Sequence, residues 1–273
     1  MDETKLPTAD IELVDSPKWI RVFFGGEVIA SSRRVKLKRG WPLTYYFPRE
    51  DVNMEFLHAA NGADNLWDVR VGDAVAERAA FNKADEEALA GHVAFRWHDM
   101  DAWFEEDEQA FTHPRDPYVR IETIQSSRHV KVVVNGETVA ETRRPVLLFE
   151  TGLKTRFYMP KTDVRMDMLV PSDNHTECPY KGEASYYSVQ VGDTLVEDAV
   201  WYYPFPDPEV SKIQGMFCFY HEKVDEFTVD GGDLFTRNVP HLGRNFSTPS
   251  SYNRKRQRIT SRFSKGSCLA RDS

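Results

Sequence analysis

The chain repeats itself over a long stretch, and this internal repeat limits its possible folds more than any other feature. Residues 19–34 read WIRVFFGGEVIASSRR and residues 129–144 read HVKVVVNGETVAETRR, with a glycine, a glutamate, an alanine and two arginines at matching places. The match resumes downstream, where the Val-Gly-Asp triplet at 71–73 recurs at 191–193. Such a long period indicates two copies of one domain, here called copy one and copy two. Differences between the copies then show what the fold does not need.

Length and charge separate a folded body from the end of the chain. A length of 273 residues accommodates two domains of ordinary size. The formal net charge is -8, but residues 232–273 alone carry +7, which leaves -15 on residues 1–231. Because binding to phosphate backbones needs clustered cations, we predict no nucleic-acid partner for the folded domains.

The cysteine count and the N-terminal residues indicate the compartment. Three cysteines are too few for a disulfide framework, and the odd number favours a reducing environment. The first residues, MDETKLPTADIELVD, are acidic and lack the apolar segment of a signal peptide. No apolar run approaches the roughly 20 residues needed to span a bilayer. We therefore expect a cytoplasmic protein without a membrane partner.

Hairpin patterns recur in both copies and set the fold class. Two β-rich runs flank Gly25-Gly26 in copy one and Asn135-Gly136 in copy two, and the second pair is a strong hairpin signal. A further hairpin turns at the Gly-Asp pairs 72–73 and 192–193. One short helix is expected in each copy, over 83–89 after a capping Asn82 and over 209–213 after Asp-Pro. The predicted fold class is mainly β, with two tandem small domains of twisted antiparallel strands and one short helix each.

Composition along the chain sets the expected boundaries. The linker is charged and contains prolines, and the tail lacks apolar periodicity and is rich in Ser, Asn and Arg. Within the tail, the basic run at 254–258 fits either a targeting segment or a solvated terminus. The expected segments are a polar arm 1–16, domain one 17–106, a linker 107–126, domain two 127–231 and a basic disordered tail 232–273.

Several motifs of copy two are similar to those of a known family. They are RRPVLLFETGL at 143–153, TRFY at 155–158, DVRMD at 163–167 and CPYKG at 178–182, together with HPRDPY at 113–118 in the linker. In these motifs, over roughly residues 17–231, the chain resembles the two-domain members of the DUF427 family. The resemblance implies a small mainly β domain and no assigned activity. A nucleotidyltransferase label has been attached to that family, but this chain has neither a Gly-rich phosphate loop nor a paired-Asp metal signature to support it.

Copy two contains a set of reactive and charged residues that copy one lacks as a set. Cys178 lies three residues before Lys181, and a neighbouring cation lowers the pKa of a thiol and favours the nucleophilic thiolate. His175, three residues before Cys178, is a candidate base. The alternative is that the Cys-Pro-Tyr-Lys-Gly segment is only a turn, with Tyr180 packed and the lysine solvated. The catalytic candidates are therefore Cys178, His175 and Lys181, and both interpretations stay open.

The remaining candidates are ligand contacts. Arg144 has an equivalent in Arg34 of copy one, so it either recognises an anion or forms an ion pair with Glu150 or Asp163 that maintains the fold. Alignment places Glu150 and Arg156 of copy two where copy one has Lys38 and Thr44. The predicted ligand-binding residues are Arg144, Glu150, Arg156, Tyr158, Tyr180 and Lys181.

The sequence predicts no metal site. The pairs His175-x-x-Cys178 and Cys218-x-x-His221 have ligand-like spacing, but Cys218 lies in a strand-like run where cysteine behaves as a small apolar residue. No cofactor is predicted either.

The function that the sequence favours is the binding of an unidentified small molecule in copy two, with an enzymatic role left open. The alternative is a non-catalytic module that binds a protein or a peptide through its sheets. A concave site with convergent polar groups would favour the first, and a broad exposed apolar patch would favour the second. The sequence leaves the oligomeric state open.

Overall fold

The two copies are visible in a computed structural model, which describes residues 12–60, 62 and 65–233. Most of the expected polar arm, residues 1–11, lies outside the described residues. The same holds for the expected basic tail beyond Asp233. In the described part of the chain, no helix is both long enough and apolar enough to cross a lipid bilayer.

Copy one is built from two antiparallel sheets. The larger has seven strands in the order β1-β4-β5-β9-β8-β7-β6, and the smaller has four in the order β11-β10-β2-β3. Single 3-10 turns connect them at Arg49–Asp51, Met54–Phe56, Glu87–Leu89 and Trp97–Asp99. Strands β1 to β11 are Leu13–Asp15, Ile20–Phe24, Glu27–Ser32, Lys36–Lys38, Thr44–Pro48, Leu57–Ala59, Leu66–Val71, Ala74–Phe81, His92–Phe95, Ala102–Glu105 and Glu108–Ala110.

Copy two repeats this arrangement strand for strand. Its larger sheet has the order β12-β15-β16-β20-β19-β18-β17 and its smaller sheet the order β14-β13-β21-β22, so each strand of copy one corresponds to the strand numbered eleven higher. The 3-10 turns are Lys161–Asp163, Met166–Met168 and Pro208–Ile213. Strands β12 to β22 are Ile121–Gln125, Val130–Val134, Glu137–Thr142, Val146–Glu150, Arg156–Met159, Leu169–Cys178, Gly182–Val191, Thr194–Tyr202, Phe217–Phe219, Glu226–Val229 and Gly232–Asp233.

The shared strand order confirms the duplication, and the predicted hairpins are present. The turn between β13 and β14 has φ of 49° at Asn135 and 76° at Gly136. Positive φ at both central residues is what a two-residue hairpin of this kind requires, and Asn-Gly adopts it readily. The Gly-Asp turns join β7 to β8 and β18 to β19 as expected.

The expected short helices are present only as 3-10 turns. The segment expected over 83–89 is reduced to Glu87–Leu89, and Glu86 rather than Asn82 precedes it without a side-chain cap. The segment expected over 209–213 is the 3-10 turn Pro208–Ile213. A segment of five to seven residues is too short to nucleate a stable α-helix. Each turn instead places one or two apolar side chains against the larger sheet.

Strands extend beyond the expected domain boundaries at several places. Leu13–Asp15, expected in the arm, pairs with β4 at the edge of the larger sheet, and Ile121–Gln125, expected in the linker, pairs with β15 at the equivalent edge. Glu108–Ala110, which was also expected in the linker, pairs with β10. The sequence signal was weak because three- to five-residue edge strands carry too few alternating residues to be recognised.

Successive side chains along each strand of the larger sheets point to opposite faces, and both faces are buried. The inner face of each larger sheet packs against the smaller sheet, and central positions of both sheets are fully buried. They are Phe47 and Val69 of the larger sheet with Val22 of the smaller sheet in copy one, and Met159 and Val189 with Val132 in copy two. The outer face is covered separately. Leu89 covers Tyr46 in copy one, whereas Val210 and Ile213 belong to the outer cluster around Tyr158 in copy two.

Candidate functional site

The outer face of the larger sheet in copy two has an aromatic and polar composition that copy one does not share. The strand register aligns Tyr158 with Cys218, and Cys218 with Trp201. The Trp201 indole donates a 3.0 Å hydrogen bond to the Tyr158 hydroxyl, and both rings are buried. Burial raises the pKa of Tyr158 well above its ordinary value, so the phenol stays neutral. The register gives the equivalent residues of copy one as Tyr46, Ala94 and Phe81.

Arg156 extends the same face toward solvent. It lies two residues before Tyr158 on β16, so both side chains point to the same side of the sheet. Its guanidinium lies 5.2 Å from the ring centre of Trp201 and 5.7 Å from that of Tyr220. Among the described residues, its ion pair is with Glu222 at 3.5 Å, longer than a strong charge-assisted hydrogen bond. The guanidinium of Arg156 therefore has donors available to a ligand.

The β17–β18 hairpin brings further candidates back over this face. β17 is five strands away from β15, which would separate the two by roughly 24 Å in a flat sheet. Nevertheless Lys181, in the turn of this hairpin, forms an ion pair with Glu150 at the end of β15. The hairpin must therefore curl over the outer face. The corresponding β6 of copy one is only three residues long.

The Lys181–Glu150 pair is buried and charged. The exposed fractions of the two side chains are 12% and 9%. Burial opposes the charged form of Lys181, but the neighbouring Cys178 and the Glu150 carboxylate outweigh this effect and raise its pKa. Lys181 is therefore held as an ammonium group. An ammonium can bind an anion or stabilise developing negative charge, but it cannot act as a base or an amine nucleophile.

Cys178 lies on the outer face at the end of β17. It pairs with Gly182, and the neighbouring pair on the same face is Thr176 with Ala184, which is buried in the outer cluster. The thiol is half-buried beside Lys181. The predicted proximity of Cys178 and Lys181 is thus present in the structure.

His175 does not join this group, contrary to the hypothesis that it serves as a base. Leu169–Cys178 is a strand that pairs with β18 on both sides of a register shift between Ser172 and His175. Because His175 and Cys178 are three residues apart in a strand, their side chains point to opposite faces. The His175 ring instead lies 3.4 Å from Glu183 and has 46% of its side chain exposed.

Arg144 also lies outside the group, because it is engaged elsewhere. It forms an ion pair with Asp163 at 2.7 Å, and Asp163 also accepts a hydrogen bond from Thr142. The hydrogen bond from Arg144 lowers the pKa of Asp163. Copy one has the same arrangement in Arg34, Asp51 and Ser32. Of the two alternatives, a conserved geometry in both copies supports an ion pair of the fold, formed with Asp163 and not with Glu150.

The strand register also corrects one alignment. Lys38 pairs with Thr44 in copy one, and Leu148 pairs with Arg156 in copy two. Lys38 is therefore equivalent to Leu148 and not to Glu150, which falls two residues later. The proposed equivalence of Arg156 and Thr44 is correct.

In each of the two candidate metal pairs, the histidine and the cysteine lie on opposite faces of the larger sheet. Cys218 belongs to the outer cluster, whereas the His221 ring lies 4.0 Å from Phe227 in the core between the sheets. Burial raises the pKa of Cys218 to about 12, so its thiol is inert. Within residues 12–60, 62 and 65–233, no three His, Cys, Asp or Glu side chains are grouped as metal ligands.

Sequence reasoning missed the contribution of the linker. Tyr180, predicted as a ligand contact, is 6% exposed, and its hydroxyl accepts a 2.6 Å hydrogen bond from the backbone N–H of Asp116. Burial raises the pKa of Tyr180 to about 12. Asp116 in turn binds Arg39 of copy one. The HPRDPY motif at 113–118 could have indicated these contacts, because a linker without contacts has no structural need for such a group of polar side chains.

A comparison with protein families gives one match, and it covers most of the chain. The family described as a domain of unknown function (DUF427) matches residues 12–106 and again residues 122–230. The two matched segments correspond to the two copies, and they include the edge strand β1 and all of β12 except Ile121. No curated protein matches the chain. Because the matched segments make up well over half of its length, the chain belongs to the DUF427 family, as a tandem pair of its domains.

Proposed function

We propose that the protein binds a small molecule on the outer face of the larger sheet of copy two, and that the ligand combines an acidic group with a flat apolar part. The observation that carries the proposal is the position of Arg156, whose guanidinium is held over Trp201 and Tyr220 with only a 3.5 Å contact to Glu222. A guanidinium fork suits a carboxylate or phosphate, and the partly buried Tyr220 ring beside it suits a planar group.

The difference between the copies supports this proposal. Copy one has the same strand order but has threonine and phenylalanine in place of Arg156 and Trp201. A buried pair such as Glu150–Lys181 usually contributes little net stability compared with apolar packing. The fold therefore has no evident need for these groups. Their concentration on one face favours a role in binding, with Lys181 as a second cation for the ligand.

A role in binding a protein or a peptide is the second candidate. Phe205, which precedes the 3-10 turn of copy two, is 83% exposed, and Leu153 after β15 is 53% exposed. Exposed apolar side chains favour docking of a partner when they form a continuous patch. Binding of small acids that depends on Arg156 would favour the first candidate over this one.

The first prediction concerns Arg156 and ligand binding. Thermal unfolding of the full chain is measured with benzoate, phenyl phosphate and a nucleoside monophosphate, and with neutral benzamide for comparison. An acidic probe that binds is expected to stabilise the protein by about 2.7 kcal/mol at one hundred times its Kd. The Arg156→Gln variant should weaken that binding by roughly tenfold, because a charge-assisted hydrogen bond is lost.

Arg165→Gln is the matched control for this experiment. Arg165 also forms an ion pair on copy two, with Asp167, but both side chains are more than half exposed and neither belongs to the outer face. Its substitution should leave binding of the acidic probes unchanged. Equal binding by the wild type and Arg156→Gln, or equal stabilisation by benzamide, would remove the basis of the proposal.

The second prediction concerns Cys178 and separates a binding role from a catalytic one. Iodoacetamide should label Cys178 ahead of Cys218, because Cys218 is fully buried and its pKa is raised to about 12. Labelling is read for each cysteine separately by peptide mass spectrometry. Reaction at Cys268, which lies outside the described residues, is then not counted as reaction at Cys178. We expect Cys178 to react more slowly than in the unfolded chain, because its thiol is half-buried in a tight turn. A faster rate than in the unfolded chain would instead indicate an activated nucleophile.

A further inference from the structure

The linker segment 113–118 contacts both copies, and Asp116 is its central residue. The single Nε–H of Arg39 is shared between the two oxygens of the Asp116 carboxylate, at N–O distances of 2.9 and 3.0 Å. The exposed fractions of the two side chains are 15% for Arg39 and 11% for Asp116. The backbone N–H of Asp116 donates to the hydroxyl of Tyr180 in the β17–β18 turn. One residue thus joins copy one to the hairpin turn of copy two.

The neighbours of Asp116 secure the same tyrosine. The guanidinium of Arg115 lies 5.1 Å from the ring centre of Tyr180, and it forms an ion pair with Glu209 in the 3-10 turn that covers the outer face. The His113 ring lies between Trp41 of copy one, at 5.2 Å, and Tyr180, at 6.5 Å. Tyr180 is therefore held from the linker side by a hydrogen bond and by ring contacts.

The arrangement is not reciprocal. The strand register makes Phe149 of copy two the equivalent of Arg39, and its side chain is 39% exposed. Copy one therefore supplies a residue that holds the hairpin turn of copy two, whereas the equivalent residue of copy two lacks a guanidinium. A largely buried ion pair of this kind fixes geometry more effectively than it adds stability.

We infer that Arg39 of copy one is a positioning residue for the site of copy two: acting through Asp116, it holds Tyr180 and thereby sets the positions of Cys178 and Lys181. The inference rests on the proposed function, because it describes how the proposed binding face is held in place. It explains why the chain carries two copies when only one has the binding groups. In this arrangement the first copy serves as a scaffold for the hairpin turn of the second.

The test uses Cys178, two residues before Tyr180, as a reporter of the hairpin turn. In the full-length chain, Arg39→Gln is expected to raise the rate of iodoacetamide labelling at Cys178 by roughly tenfold, because loss of a charge-assisted contact makes local opening more frequent. Tyr180→Phe removes only the hydroxyl that accepts from Asp116, and it should raise the rate in the same direction. Tyr180→Phe keeps the ring and so also tests the inference if Arg39→Gln fails to fold.

Arg34→Gln is the matched control, because it removes another Arg–Asp pair of copy one that does not contact the linker. It should leave the labelling rate at Cys178 unchanged in native buffer, whatever its effect on the melting temperature. An unchanged rate in folded Arg39→Gln or in Tyr180→Phe would overturn the inference, and so would an equal rise in Arg34→Gln. Because no ligand is used, a failure here is distinct from a failure of the acidic probes to bind.

Discussion

Replacing Lys181 by methionine is expected to lower the free energy of unfolding by about 3–5 kcal/mol at pH 7, because it leaves the Glu150 carboxylate buried without its cation. The measurement is equilibrium unfolding in guanidinium chloride, followed by tryptophan fluorescence. The double variant Glu150→Gln/Lys181→Met should recover most of the loss, since it removes both charges together. Recovery of this kind would show that the pair itself is not required for stability, which leaves its charges available for function.

Lys154→Met is the control for this prediction. Lys154 also pairs with a glutamate of copy two, Glu222, but the two side chains are 50% and 42% exposed. Exposed pairs contribute about 0–1 kcal/mol, so this substitution should have a small effect. A loss in Lys181→Met no larger than that in Lys154→Met would mean that water reaches Glu150, and that the hairpin turn does not seal the pair.

The second large effect expected is a loss of stability in acid that depends on His221. His221 is 1% exposed, and neither ring nitrogen has a hydrogen-bond partner among the described residues. Burial lowers its pKa from 6.5 to about 3, with Arg156 contributing in the same direction. The unfolded chain therefore binds a proton that the folded chain rejects between these values. The contribution of neutral His221 to the free energy of unfolding is therefore present in full above about pH 6.5. The free energy of unfolding declines by about 3 kcal/mol from pH 7 to pH 4 as the unfolded chain takes up this proton.

His221→Phe should remove this part of the acid sensitivity, because an apolar ring fits the same place. The equivalent residue of copy one is Trp97, which stacks on Trp103 at 4.3 Å, much as His221 packs on Phe227 at 4.0 Å. Unfolding free energies at pH 7 and pH 4 are compared for the two proteins. His175→Gln, at an exposed position, should follow the wild-type profile. Parallel profiles for the wild type and His221→Phe would contradict the prediction.

The repeat, the hairpins and the β class were all predicted from the sequence, because each depends on local information. A duplicated sequence must fold to a duplicated structure when its apolar alternation and its turn residues are both repeated. Asn135-Gly136 specifies its turn through the conformations open to two residues, without reference to the rest of the chain. The proximity of Cys178 and Lys181 was likewise predicted, since they are three residues apart around a turn.

Other features depended on contacts between distant residues. His175 was misplaced because the strand that separates it from Cys178 exists only by pairing with β18. Edge strands β1 and β12 were missed because their few residues become strands only beside β4 and β15.

The sequence by itself determined that this protein is a pair of similar β domains, because periodicity and turn chemistry act over a few residues. Only the tertiary structure decided where its functional groups lie. The curl of the β17–β18 hairpin brings Lys181 to Glu150, and the linker brings Asp116 to Arg39 and Tyr180. These pairs are separated by 31, 77 and 64 residues along the chain. Their meeting depends on the packing of whole sheets, which no local pattern encodes.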